Sequence, residues 1–132
     1  LYGDMNGGFN VLKDVYKTTV FELCRWRNAR GRAIPERILD KPPSAELRAD
    51  QKDSDSLPPY PVLDAILKGL IERDLDTEAL AKEGHDPEVV DRIWRLLEGA
   101  EYKRRQAPPG VKITSRNVSK ERRYPIVNGF RG

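Results

Sequence analysis

The sequence predicts a mainly helical segment with one core and an anion-binding end, and three observations carry that prediction. Apolar residues recur at helical spacing in two stretches, Val62, Leu63, Ile66, Leu67, Leu70 and Ile71, then Val89, Val90, Ile93, Trp94, Leu96 and Leu97. Helix-start residues stand before these stretches and before a shorter one between them: Pro61, Asp76 and Asp86-Pro87-Glu88. The net charge of +3 is uneven, being +3 over residues 1–35, −8 over 36–101 and +8 over 102–132, so phosphate belongs at the basic C-terminal end.

At 132 residues a single domain suffices. Charged residues make up 34% of the chain, and no apolar run nears the roughly 18 residues needed to cross a bilayer, so no membrane partner is expected. One cysteine, Cys24, cannot form an internal disulfide, which favours a cytoplasmic setting.

In chain order, residues 1–13 predict the end of a strand running into a loop, Gly3-Asp4-Met5-Asn6-Gly7-Gly8, whose glycines allow close approach to a ligand. A helix is predicted from about Val15 to Arg30, with Thr19 and Glu22 as a capping box, Val20, Leu23 and Cys24 on a buried face, and Gly31 as the stop. Ile34 to Leu39 predicts a short helical turn. Lys41 to Tyr60, rich in Pro, Asp, Ser and Lys, predicts a long mobile loop, either a lid over a ligand or a linker between domains. Three scaffold helices follow, with Trp94 in the core. Beyond Tyr102 the chain predicts a basic, irregular tail with a short strand at Val111 to Thr114, ordered by partners if at all.

Familiar catalytic chemistries are excluded. One histidine, His85, and one cysteine make neither a zinc site nor a Cys-His couple, and His85 beside Asp86-Pro87 is a loop residue next to a helix cap. No G-x-S-x-G, G-x-x-x-x-G-K-[ST] or H-E-x-x-H is present. What remains is a Gly-rich turn with an acid, Lys17 at a helix start, and a cationic cluster after a helix. Backbone N–H groups and the helix dipole favour phosphate near Lys17, although a lone lysine there is also ordinary surface chemistry.

Taken in order, the motifs Tyr2-Gly3-Asp4-Met5-Asn6-Gly7-Gly8-Phe9, Leu12-Lys13-Asp14-Val15 with Lys17-Thr18, and Arg25-Trp26-Arg27-Asn28 resemble the synthetase domain of NAD synthetases. So do Lys41-Pro42-Pro43-Ser44-Ala45-Glu46-Leu47-Arg48 and Asp55-Ser56-Leu57-Pro58-Pro59-Tyr60, in the manner of the glutamine-dependent bacterial branch. Tyr102-Lys103-Arg104-Arg105-Gln106, Val111 to Asn117 and Arg122-Arg123-Tyr124-Pro125-Ile126 extend the resemblance over nearly the whole chain. Tyr16 departs from it, since a proline is expected before the lysine.

The resemblance implies an α/β fold, a three-layer Rossmann-like ATP-pyrophosphatase domain of the adenine nucleotide alpha hydrolase-like kind, to which this segment gives mostly helices. It implies ATP-dependent amidation of deamido-NAD to NAD through an adenylated intermediate, with Mg2+ accompanying ATP and ammonia drawn from glutamine. It assigns Lys17 and Ser44 to ATP, and Lys103 and Asp4 to deamido-NAD. Bottom-up, Ser44 also suits a helix cap before Glu46, and Lys103 suits a helix end. The pyrophosphate-cradling Ser-Gly-Gly-x-Asp-Ser loop and the glutaminase domain are expected outside these residues. The segment alone is therefore expected to be inactive, its partners being the rest of the synthetase and glutaminase domains in a homo-oligomer. The alternative is a nucleic-acid module with a helix-turn-helix at Asp76 to Tyr102 and a phosphate-tracking tail, opposed by Glu88, Asp91, Glu98 and Glu101 on the helix meant to face the duplex.

Overall fold

A computed structural model describes residues 7–43, 53, 56–117, 120–127 and 129, and among them every regular element is a helix. These helices are α1 (Lys17–Asn28), α2 (Glu36–Asp40), α3 (Tyr60–Ile71), α4 (Thr77–Lys82), α5 (Pro87–Gly99) and α6 (Glu101–Gln106). No described helix is long and apolar enough to cross a membrane. The chain forms two compact units, one of Leu1–Val15 with Ala65–Gly132 and one of Tyr16–Asp64.

The core belongs to the larger unit. Ile66, Leu70 and Ile71 of α3, Leu80 of α4, and Val90, Ile93 and Leu97 of α5 are all buried. Their spacing along α3 and α5 is the helical period that the sequence predicts. The predicted caps form as well. The Asp76 carboxylate accepts from Ala79 N–H at 2.7 Å, and that of Asp86 accepts from Glu88 N–H at 2.9 Å and Val89 N–H at 3.4 Å, with Pro87 in the first turn of α5. Each takes up helix N–H groups that would otherwise lack a partner.

The chain after α5 differs from the sequence expectation, and the reason is electrostatic. Residues 101–106 are helical because Glu101, only 1% exposed, accepts from Arg104 at i+3 (3.0 Å) and Arg105 at i+4 (2.8 Å), placing both cations over one turn. No strand forms at Val111 to Thr114. Instead Asp14 Oδ2 accepts from Ile113 N–H, Thr114 N–H and the Thr114 hydroxyl, each at 2.8 Å. The Lys13 ammonium donates to the carbonyls of Ala107 (3.3 Å) and Pro108 (2.8 Å). Asn10 N–H donates to the Pro109 carbonyl at 2.8 Å. The backbone approach is so close that a Cβ on Gly110 would stand 2.3 Å from the Asn10 carbonyl oxygen, so only glycine fits.

The tail is ordered by the chain's own acids. Arg116 and Arg122 both pair with Asp74, Lys112 with Glu121 at 2.7 Å, and the Ser115 hydroxyl donates to Glu72 at 2.7 Å. Trp94 is half-buried, not central to the core: its ring meets Tyr124 edge-on at 5.5 Å with the Arg122 guanidinium 5.8 Å away.

In the smaller unit, α1 starts without the predicted capping box. Tyr16 is the N-cap and gives no side-chain cap bond, while Thr18 N–H donates to the buried Asp64 carboxylate at 2.8 Å. The predicted buried face is not covered: α1 has no buried residue, Leu23 is 45% exposed, and Val20 and Cys24 are half-buried. A unit this short has too few apolar side chains to cover one. The stop holds, with Gly31 at φ 127° and the Asn28 amide bridging to the backbone of Ala33 and Ile34.

Two expectations follow. Gly110→Ala should lower stability by about 1–3 kcal/mol through overpacking, and thermal unfolding at the wild-type midpoint would contradict the close approach. The Glu101 carboxyl is pushed up by burial, and the bonds from Arg105, the Tyr124 backbone and Arg104 together outweigh this and leave it below the ordinary glutamate value of 4.5. Its contribution is thus complete above pH 4.5 and is lost as pH falls through the lower folded value. Glu101→Gln should lower stability at pH 7 by about 1–3 kcal/mol and flatten the acid limb of a pH–stability curve; an unaltered limb would count against it.

Candidate functional site

Lys17 is the first residue of α1, and its ammonium is met by rings where a surface lysine would usually find a carboxylate. The Nζ lies 5.5 Å from the centroid of Phe21, one turn along the same helix, and 5.9 Å from that of Tyr60. Ring quadrupoles steady a cation without neutralising it, so the charge stays available to an anion. Tyr60 is itself anchored, its hydroxyl donating to the Asp53 carboxylate. Burial first, then that hydrogen bond and the charges of Asp53 and Asp64, raise the phenol's pKa well above the usual tyrosine value, so it remains a donor.

Lys17 and Phe21 line an open cavity of about 700 Å³ together with Arg37, Ile38, Lys41, Pro42 and Pro43. Three of these side chains are cationic and none is acidic; the others are apolar. Such a wall suits an anion that carries a flat or apolar part. The short helix α2 supplies Arg37, and the Lys41 backbone N–H donates to the Arg37 carbonyl at 3.1 Å, which closes α2 and turns the chain into Pro42-Pro43. The Asp53 N–H then donates to the Pro43 carbonyl at 2.9 Å. Within the predicted loop, Ser44 lies outside the described residues, and so does Asp4 of the Gly-rich turn.

Lys103 stands on α6 in the other compact unit. It is exposed, with its ammonium 6.0 Å from the Tyr102 ring. Arg104 and Arg105 beside it are both tied to Glu101, so of these three consecutive cations Lys103 is the one with no carboxylate partner among the described residues. The sequence reading missed Arg37, Lys41, Phe21 and Tyr60. A signal existed, because Arg37 and Lys41 are four residues apart and Phe21 follows Lys17 by four, the spacing that places side chains on one helical face.

Residues 1–107 match the family model described as NAD synthase. The chain is 59% identical over 133 residues to the glutamine-dependent NAD(+) synthetase of Acinetobacter baylyi, covering 99% of this chain and 25% of that protein. It is 52% identical over 133 residues to the protein of the same name from Thermotoga maritima, covering 99% of this chain and 23% of that protein. A solved glutamine-dependent NAD+ synthetase from Acinetobacter baumannii, in complex with adenosine diphosphate, shares 52% identity at a TM-score of 0.54, over 98% of this chain and 22% of that one. The chain thus spans about a quarter of the length of the curated relatives it matches. These relatives give the helix-turn-helix alternative no support.

The anchoring of Tyr60 has a spectroscopic consequence. In an alkaline ultraviolet titration, one of the five tyrosines should ionise after the rest, and Tyr60→Phe should remove that late step. An unchanged titration curve in the variant would mean that Asp53 does not hold the hydroxyl.

Proposed function

The chain belongs to the NAD synthase family, and on that footing we propose that it forms the C-terminal part of the synthetase domain of an enzyme that amidates deamido-NAD. The observation that carries this reading is the Lys17 cavity, a cationic wall with apolar neighbours and, among the described residues, no lining carboxylate. Its chemistry is that of a nucleotide's phosphates. An adenosine diphosphate complex of a relative supports the same class of ligand.

In this reading Lys17 binds the phosphates of ATP, with Ser44 nearby, while Lys103 and Asp4 serve deamido-NAD. A carboxylate is a poor electrophile until one oxygen becomes part of a good leaving group. The nicotinate carboxylate therefore attacks the α-phosphorus, pyrophosphate leaves, and ammonia derived from glutamine displaces AMP to give the amide. The charge that develops on the departing pyrophosphate is what Lys17 stabilises. No three His, Cys, Asp or Glu of the described residues gather as a metal site. No step of the mechanism is assigned to Mg2+ through the described residues. The wider frame is a three-layer α/β nucleotide-binding domain in a cytoplasmic homo-oligomer that also carries a glutaminase domain.

Two substitutions in the intact protein test these roles. Lys17→Ala should slow ATP–pyrophosphate exchange by about 10- to 150-fold, the equivalent of one charge-assisted hydrogen bond; an unchanged rate would remove Lys17 from the phosphate site. Lys103→Ala should weaken deamido-NAD binding by about 10- to 150-fold and leave ATP affinity and melting temperature nearly as they were. A lowered melting temperature with an unchanged deamido-NAD dissociation constant would make Lys103 a helix-end residue.

A further inference from the structure

Arg37 stands in the same cavity as Lys17, carried by a different helix, and its guanidinium makes no hydrogen bond or ion pair with any described residue. Glu36 precedes it, and Asp40 lies three residues on, the spacing at which helical ion pairs form, yet neither pairs with it. Arg37 is among the residues that line the cavity. Arginine carries five N–H donors in a planar fork that matches two phosphate oxygens at once, which a lysine ammonium does not do. Lys17 lies against the Phe21 ring, on the apolar part of the wall. Arg37 from α2 and Lys41 from the turn that leads into Pro42-Pro43 add the rest of the positive charge.

We propose that Arg37 is a second polyphosphate-binding residue of this cavity, gripping the anionic part of the nucleotide by its fork while Lys17 holds it by charge. The inference rests on the nucleotide reading of the cavity and adds to it a residue and a preference. With two cations that no described carboxylate opposes, the site selects for the triphosphate and gives little to the nucleoside alone. Arg37 is exposed and its side chain makes no hydrogen bond or ion pair with a described residue, so replacing it removes no such bond from the fold.

The test uses the intact protein and measures dissociation constants for ATP, tripolyphosphate and adenosine in R37Q and K17A. R37Q should weaken ATP and tripolyphosphate by about 10- to 150-fold, leave adenosine within about twofold, and keep the wild-type unfolding midpoint. Arginine's fork would further show as partial recovery in R37K. If K17A weakens ATP and R37Q does not, Arg37 has no part in the site and the nucleotide reading stands without it. If neither variant changes ATP affinity, the cavity is not the nucleotide's and both readings fall. Equal weakening of ATP and adenosine by R37Q would mean loss of packing, not of a phosphate contact, and would overturn the proposal. Should R37Q fold poorly, R37M keeps the apolar stem and is judged by the same three ligands.

Discussion

One carboxylate oxygen, Oδ2 of Asp14, accepts three hydrogen bonds from residues 99 and 100 positions away, and the larger unit is built around that convergence. Beside it Lys13 ties down the carbonyls that follow α6, and Gly110 lets the two backbones meet. Two adjacent residues of opposite charge thus fix both sides of one segment, the cation taking acceptors and the anion taking donors. A short loop with little apolar surface could not otherwise bring residues 7–15 against the tail. The interaction works because both partners are partly withdrawn from water, where an unmet amide costs about 1–3 kcal/mol.

The 24 cations of the chain serve two purposes. Arg104, Arg105, Arg116, Arg122 and Lys112 are matched by Glu101, Asp74 and Glu121, so much of the basic C-terminal end is structural. Lys17, Arg37 and Lys103 have no carboxylate partner among the described residues, and these are the residues that the binding reading needs. Regional charge therefore marks where positive residues accumulate, and pairing decides which of them face a ligand. That is why the +8 end is less of an anion trap than its composition suggests.

Much of the fold is legible before any coordinates. The caps Asp76 and Asp86, the apolar period of α3 and α5 and the stop at Gly31 are local chemistry, and local chemistry is written in consecutive residues. Two of the misses are non-local. Thr19 and Glu22 resemble a capping box, but the N–H of Thr18 is satisfied by Asp64, 46 residues on. Val111 to Thr114 has strand-like residues, yet a carboxylate from the other end of the chain takes its N–H groups. Helix α6 is hidden because a run of like charges argues against a helix until Glu101 is seen to sit beneath it. At the site, Lys17 and Lys103 could be named from family motifs, whereas the rings that hold Lys17 and the cation across the cavity depend on how the chain turns after α1.

The Asp14 contact also sets an order of events. Helices α3 to α6 are made of near-neighbour contacts and can form quickly, but joining positions 14 and 114 requires closing a loop of about a hundred residues, whose entropy is recovered only when the contact is complete. During synthesis from the N-terminus, Asp14 emerges long before its partners and must wait for them. The segment on either side of Gly110 is thus the last part of this unit to become native.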